Sequence, residues 1–134
     1  MKRLWLVLLT VTALATVTGC HKSTPGGAHL KQVNDALLAG GFKLDGFHPT
    51  DPARYGASSC ATGPLAGVDA LVCEYASPAG QALGKRASED WIAQAVTGVV
   101  LQNGLTTLAL ADRAHADPNG KTIQRISQSY QQAK

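Results

Sequence analysis

The chain is predicted to fold as an α+β domain in which an antiparallel sheet of about four to five strands is packed by three helices. Three observations predict this. The stretches 55–75 and 96–111 alternate their side chains around Gly-containing turns, as hairpins do. Three other stretches carry apolar residues at helical spacing, two of them behind a Ser-Pro or Asp-Pro pair. Short turns rather than helical crossovers join the strand pairs, which favours an antiparallel sheet over a parallel one. The length, 134 residues, suits one domain.

The elements follow in order. Leu30, Val33 and Leu37 form the stripe of a first helix, with Leu38 widening it and Gly40 and Gly41 ending it. Phe42 and Leu44 alternate with Lys43 and Asp45, a short strand running to about Phe47, and His48 to Pro52 is a loop because of its two prolines. Strands over 55–61 and 68–75 flank a turn within Gly63 to Gly67, with a four-residue connection from Leu65 to Val68 when Cys60 stands opposite Cys73. Ser77 and Pro78 cap a second helix that turns Leu83, Ala87 and Trp91 inward. The second hairpin turns at Asn103 and Gly104, so Gln102 faces Leu105, and Val99, Leu101, Leu108 and Leu110 share the buried face. Asp117 and Pro118 open a last helix through Ile123, Ile126 and Tyr130.

Ahead of this domain, Lys2 and Arg3 precede an apolar stretch from Leu4 to Val17, the layout of a secretory signal. The stretch is shorter than the about 20 apolar residues that cross a bilayer. Val17, Thr18, Gly19 and Cys20 resemble the lipobox of bacterial lipoproteins. That resemblance implies removal of residues 1–19, acylation of Cys20 and attachment of the chain to a lipid bilayer through it. It also implies a place in the cell envelope, and His21 after the cysteine points to the outer membrane where the cell has one. The alternative is an ordinary cleaved signal with a cysteine next to it. Residues 20–28 are polar and rich in Gly and Pro, a tether to a domain over 29–134.

Cysteine counting agrees with export. Three cysteines leave an odd one, which acylation of Cys20 accounts for. Cys60 and Cys73 are then an even pair in an oxidising compartment, expected as a disulfide. Two reduced buried thiols, or a metal or redox pair, are the rival readings, and no Cys-x-x-Cys pattern supports the last.

Of the 12 Lys and Arg residues, Lys2 and Arg3 fall in the signal, leaving 10 against 9 acidic residues. A balance so close to neutral offers no electrostatic footprint for nucleic acid. The most suggestive polar cluster is Asp112, Arg113, His115 and Asp117, where imidazole and carboxylate could bind a metal or act as a general base, with His48 as a further partner. The plainer reading makes Asp117 a helix cap, Asp112 and Arg113 a surface ion pair and His115 a loop residue. Trp91 and Tyr75 either line a ligand groove or belong to the core. Ser58 and Ser59 lack the Gly-x-Ser-x-Gly setting of a hydrolase nucleophile, and no glycine run has phosphate-loop spacing. The expected function is that of a non-enzymatic binding module for an envelope protein or small ligand, without a cofactor. The alternative is a small metal-dependent or hydrolytic enzyme using His115 with Asp112 or His48.

Overall fold

The computed structural model describes residues 27–134. The expected signal, Cys20 and nearly all of the tether lie outside them. Helix α1 (Ala28–Ala39) is followed by strand β1 (His48–Thr50), a 3₁₀ turn (Pro52–Tyr55), and the hairpin of β2 (Ser59–Leu65) and β3 (Val68–Glu74). Helix α2 (Pro78–Ile92), the hairpin of β4 (Thr97–Asn103) and β5 (Thr106–Asp112), and helix α3 (Lys121–Gln131) complete the chain. The five strands form one antiparallel sheet in the order β1-β2-β3-β5-β4. The architecture is α+β, as the sequence predicts.

Helices cover both faces of the sheet. On one face Leu30, Val33 and Leu37 of α1 and Ile123, Ile126 and Tyr130 of α3 pack on Val68, Ala70, Val72, Leu108 and Leu110. On the other, Tyr55, Tyr75 and the two cysteines join Leu71 and Ala109 beneath Ala87, Trp91 and Ile92. Strand β5 lies between β3 and β4 and is buried along its whole length, so the expectation of a single buried face is corrected. α1 buries a narrower stripe than expected, and Leu38 stays 54% exposed.

Hydrogen bonding across the sheet follows from its two tight hairpins. Leu65 pairs with Val68 across Ala66 and Gly67, and both turn residues have positive φ, +52° and +87°, as a type I′ turn requires. The expected four-residue connection is therefore a two-residue turn, and Gly63 and Pro64 belong to β2. In such a hairpin the closing pair exchanges hydrogen bonds and pairs alternate from there. Cys60 and Cys73 thus fall in a non-bonded pair, the close-approach type, and their Cα atoms are 4.2 Å apart with a disulfide between them.

The second hairpin turns one residue later than predicted. Asn103 pairs with Thr106, and Gly104 and Leu105 form the turn, with positive φ at Gly104 alone, the pattern of type II′. The reason lies outside the hairpin. The Asn103 side-chain amide donates to the carbonyls of Tyr130 and Ala133, each at 3.0 Å, and so closes the end of α3. The pairing moves by two residues, an even number, so Val99, Leu101, Leu108 and Leu110 still share a face.

Three further expectations are corrected. Residues 42–47 are not a strand; the edge strand is β1 at His48–Thr50, in the segment expected to be a loop. Pro49 is tolerated there because His48 and Thr50 make the bonds to β2 and the Pro49 nitrogen points away from the sheet. In α2, Ala87 and Trp91 pack half-buried on the core as predicted, but Leu83 is 70% exposed and the buried residues are Gln81, Gly84 and Ser88. Tyr75 fills the space beneath the helix, so only a small residue fits over its ring, and Gln81 Nε2 donates to the carbonyls of Gly104 and Thr106 at 2.8 and 2.9 Å. Ser77 caps α2 as predicted, accepting from the Gly80 N–H. Finally, α3 begins at Lys121 with Gly120 before it, and Asp117 reaches in from further upstream to accept from the N–H groups of Thr122 and Ile123.

Candidate functional site

A groove of about 660 Å³ lies on the side of the sheet where α1 begins. One wall is α1, through Leu30 and Asn34. The other is the 44–52 segment, through Leu44, Phe47 and Pro49, and the floor is the start of β2 from Ser58 to Ala61. The phenyl ring and the aliphatic chains make this an apolar cleft, with Asn34, His48 and Thr50 supplying polar groups. A cleft of that size and lining suits a small apolar ligand or a peptide side chain.

Glu74 positions the wall. Helix α1 has Gly27 at its N-cap position and so no capping side chain of its own. The carboxylate of Glu74, at the end of β3, accepts instead from the Leu30 N–H at 3.1 Å. A negative charge there also complements the positive end of the helix dipole. Gly27 allows the approach, since any Cβ at that position would collide with the Glu74 carboxylate. The Cys60–Cys73 disulfide stiffens the floor directly behind.

The sequence-predicted site residues are not brought together. His48 lies exposed on β1 beside the groove, its Nδ1 3.3 Å from the Gly46 carbonyl. Strands β1 and β5 are separated by three strand spacings, about 14 Å. His115 is in the loop after β5, exposed and with φ +54°. Asp112, only 2% exposed, spends both carboxylate oxygens on its own loop, accepting from Ala116 N–H at 2.8 Å and Asp117 N–H at 3.0 Å. It is not the ion-pair partner of Arg113 as the sequence suggested. Arg113 pairs with Asp69 at 2.9 Å, lies over the Trp91 ring at 4.3 Å from its centre and donates to the Trp91 carbonyl. Among the described residues, no three His, Cys, Asp or Glu side chains converge as metal ligands.

Asp112 and Asp117 therefore work as a relay that shapes the loop into α3. Burial pushes the Asp117 carboxyl toward the neutral form, but the bonds from Ile123 and Thr122 outweigh this and hold it below the ordinary 3.8. Tyr75 belongs to the core, its hydroxyl 3.3 Å from Thr107 Oγ1, and Trp91 is half-buried under Arg113. Neither lines the groove. Sequence reading missed Glu74 and the 44–50 wall. The one available signal was the apolar set Leu44, Phe47 and Pro49 beside a helix that lacks its own cap.

No protein-family model matches the chain, and no curated protein or solved structure is significantly similar to it.

Proposed function

We propose that this chain is a bacterial envelope lipoprotein, held to the bilayer by acyl chains on Cys20, and that its domain is a non-enzymatic module binding an apolar ligand or partner segment in the groove beside α1. The observation that carries the reading is the position of that groove. Gly27, where the domain begins, is part of its rim. Only six residues lie between Cys20 and Gly27, so the two are at most about 25 Å apart along extended chain. A module tethered so closely presents the groove near the lipid surface, where apolar ligands and membrane-bound partners are concentrated. The lipobox-like residues support the anchor, and one or more acyl chains beyond the first make it lasting. In a diderm cell the His21 that follows favours the outer membrane.

The test has two parts. The intact mass of protein purified from its own cells, before and after reduction, reports removal of residues 1–19, the acyl chains and the cystine together. Binding is then read with a fluorescent long-chain fatty acid as an apolar probe. The wild-type chain is expected to bind it, and Phe47→Glu to weaken binding at least about tenfold, the effect of roughly 1.4 kcal/mol. A protein that retains Met1 and carries no lipid overturns the anchor. Probe binding that is absent, or equal in both proteins, overturns the groove as the ligand site.

A further inference from the structure

The two edges of the sheet are unlike. Alternation outward from the hairpins assigns His48 and Thr50 of β1 to bonds with β2, leaving Pro49 as the one residue of β1 facing outward, and proline has no N–H. That edge is short and closed to a further strand. On β4, Thr97, Val99, Leu101 and Asn103 bond to β5, so the N–H and C=O groups of Gly98, Val100 and Gln102 face outward. The bond from Tyr75 N–H to the Leu105 carbonyl, 2.8 Å, fits the same alternation. No hydrogen bond joins these outward groups to any other described residue. The edge runs seven residues in unbroken register and holds no charge, proline or bulge, the devices that ordinarily protect an edge.

We propose that the β4 edge is a homotypic interaction surface, on which a second copy of this chain adds its own β4 in antiparallel register about a two-fold axis at Val100. The sequence Thr97–Asn103 is complementary to itself in that register. Val100 meets Val100 of the second copy, Val99 meets Leu101, and Thr97 meets Asn103, so like opposes like at these pairs, while Gly98 leaves room opposite the longer Gln102. The side chain of Val96, 68% exposed, falls opposite Gly104 of the second copy, a position with open space where a side chain would stand. A two-fold pairing of this kind closes on itself and leaves Pro49 at both outer ends of a ten-strand sheet, twice the five of one copy. Three outward residues on each copy supply six main-chain bonds over a single strand, a contact smaller than the about 800 Å² per partner of a standard interface. The pairing is therefore weak and concentration-dependent, and it does not rest on the groove or on the anchor.

Amide hydrogen exchange of the isolated full-length chain, followed from dilute to concentrated solution alongside its molar mass, tests this. With pairing, the N–H groups of Gly98, Val100 and Gln102 gain protection of at least about tenfold as dimer forms, while Val99 and Leu101 are already protected by β5. Val100→Pro removes one outward donor and leaves the β4–β5 ladder intact, so it is expected to abolish the dimer while the cystine and thermal midpoint persist. The proposal is overturned by outward amides that exchange freely at every concentration. It is equally overturned by protection that persists at the greatest dilution, by self-association that leaves these amides unprotected, or by protection that appears only with a different co-purifying protein.

Discussion

The ring of Tyr75, at the end of β3, lies directly against the Cα of Gly84 in α2. A Cβ at Gly84 would overlap the ring carbons and hydroxyl, so helix and sheet approach more closely than any larger residue allows. Gly84→Ala is expected to destabilise the fold by about 1–3 kcal/mol through overpacking, despite the roughly 1 kcal/mol that alanine gains in helix propensity. Gly80, one turn earlier, has only ordinary contacts, the nearest 3.4 Å away at Ser77 Oγ. Gly80→Ala is expected to stabilise by about 0.5–1 kcal/mol. Urea unfolding of the two variants should give shifts of opposite sign, and two shifts of the same sign would contradict this account of the helix–sheet contact.

The cystine closes a short loop, with 13 residues of sequence separation, behind the floor of the groove. Loss of this cross-link in Cys60→Ala/Cys73→Ala is expected to lower stability by about 3 kcal/mol on the loop-entropy model. Both cysteines are buried, so a mild reductant should reach them at the rate of unfolding rather than of collision. Thiol labelling during reduction, compared with the unfolding rate, distinguishes the two.

Stability is expected to fall at both extremes of pH through two identified groups. The carboxyl of Asp117 titrates below 3.8 in the folded chain, so its contribution is complete above that value and is lost as pH falls through the lower folded pKa. Tyr130 has the opposite sign. Burial, only partly offset by hydrogen bonding with Thr106 and Asn103, raises its phenol from 10.0 to about 12. Its contribution is complete below pH 10 and disappears as pH rises toward about 12, a loss of roughly 2–3 kcal/mol. Unfolding midpoints across pH should show the acid limb flattened in Asp117→Asn and the alkaline limb flattened in Tyr130→Phe.

The groove and the loop after β5 mark where sequence reading reached its limit. The two hairpins, the Ser77 cap and the cysteine pairing were legible, because each depends on residues close in sequence or on parity along a strand, whereas the edge strand β1 fell in a segment read as a loop. The Asn103–Gly104 pair is a strong local turn signal, yet the turn forms one residue later. The Asn103 amide is needed at the end of α3, 27 and 30 residues away, a demand that no local pattern records. Leu83 is apolar and correctly spaced for burial, but the large ring of Tyr75 beneath α2 makes the inner face the one with glycine and serine. The cluster Asp112, Arg113, His115 and Asp117 looked like chemistry because its residues are adjacent. In the fold Arg113 turns to Asp69 and Trp91, His115 is exposed, and the two carboxylates accept from main-chain N–H groups of the loop and of α3.

By itself the sequence determined the class of fold, the strand pairing partners within each hairpin and the place of the cystine, since hydrophobic period and turn chemistry act over a few residues. Tertiary structure alone decided which side of α2 faces inward, which of the two edges stays open, and that Glu74 caps α1 at the mouth of a groove. Those outcomes depend on volumes and unpaired main-chain groups that meet only when distant segments are packed together, and their spacing along the chain carries no trace of the meeting.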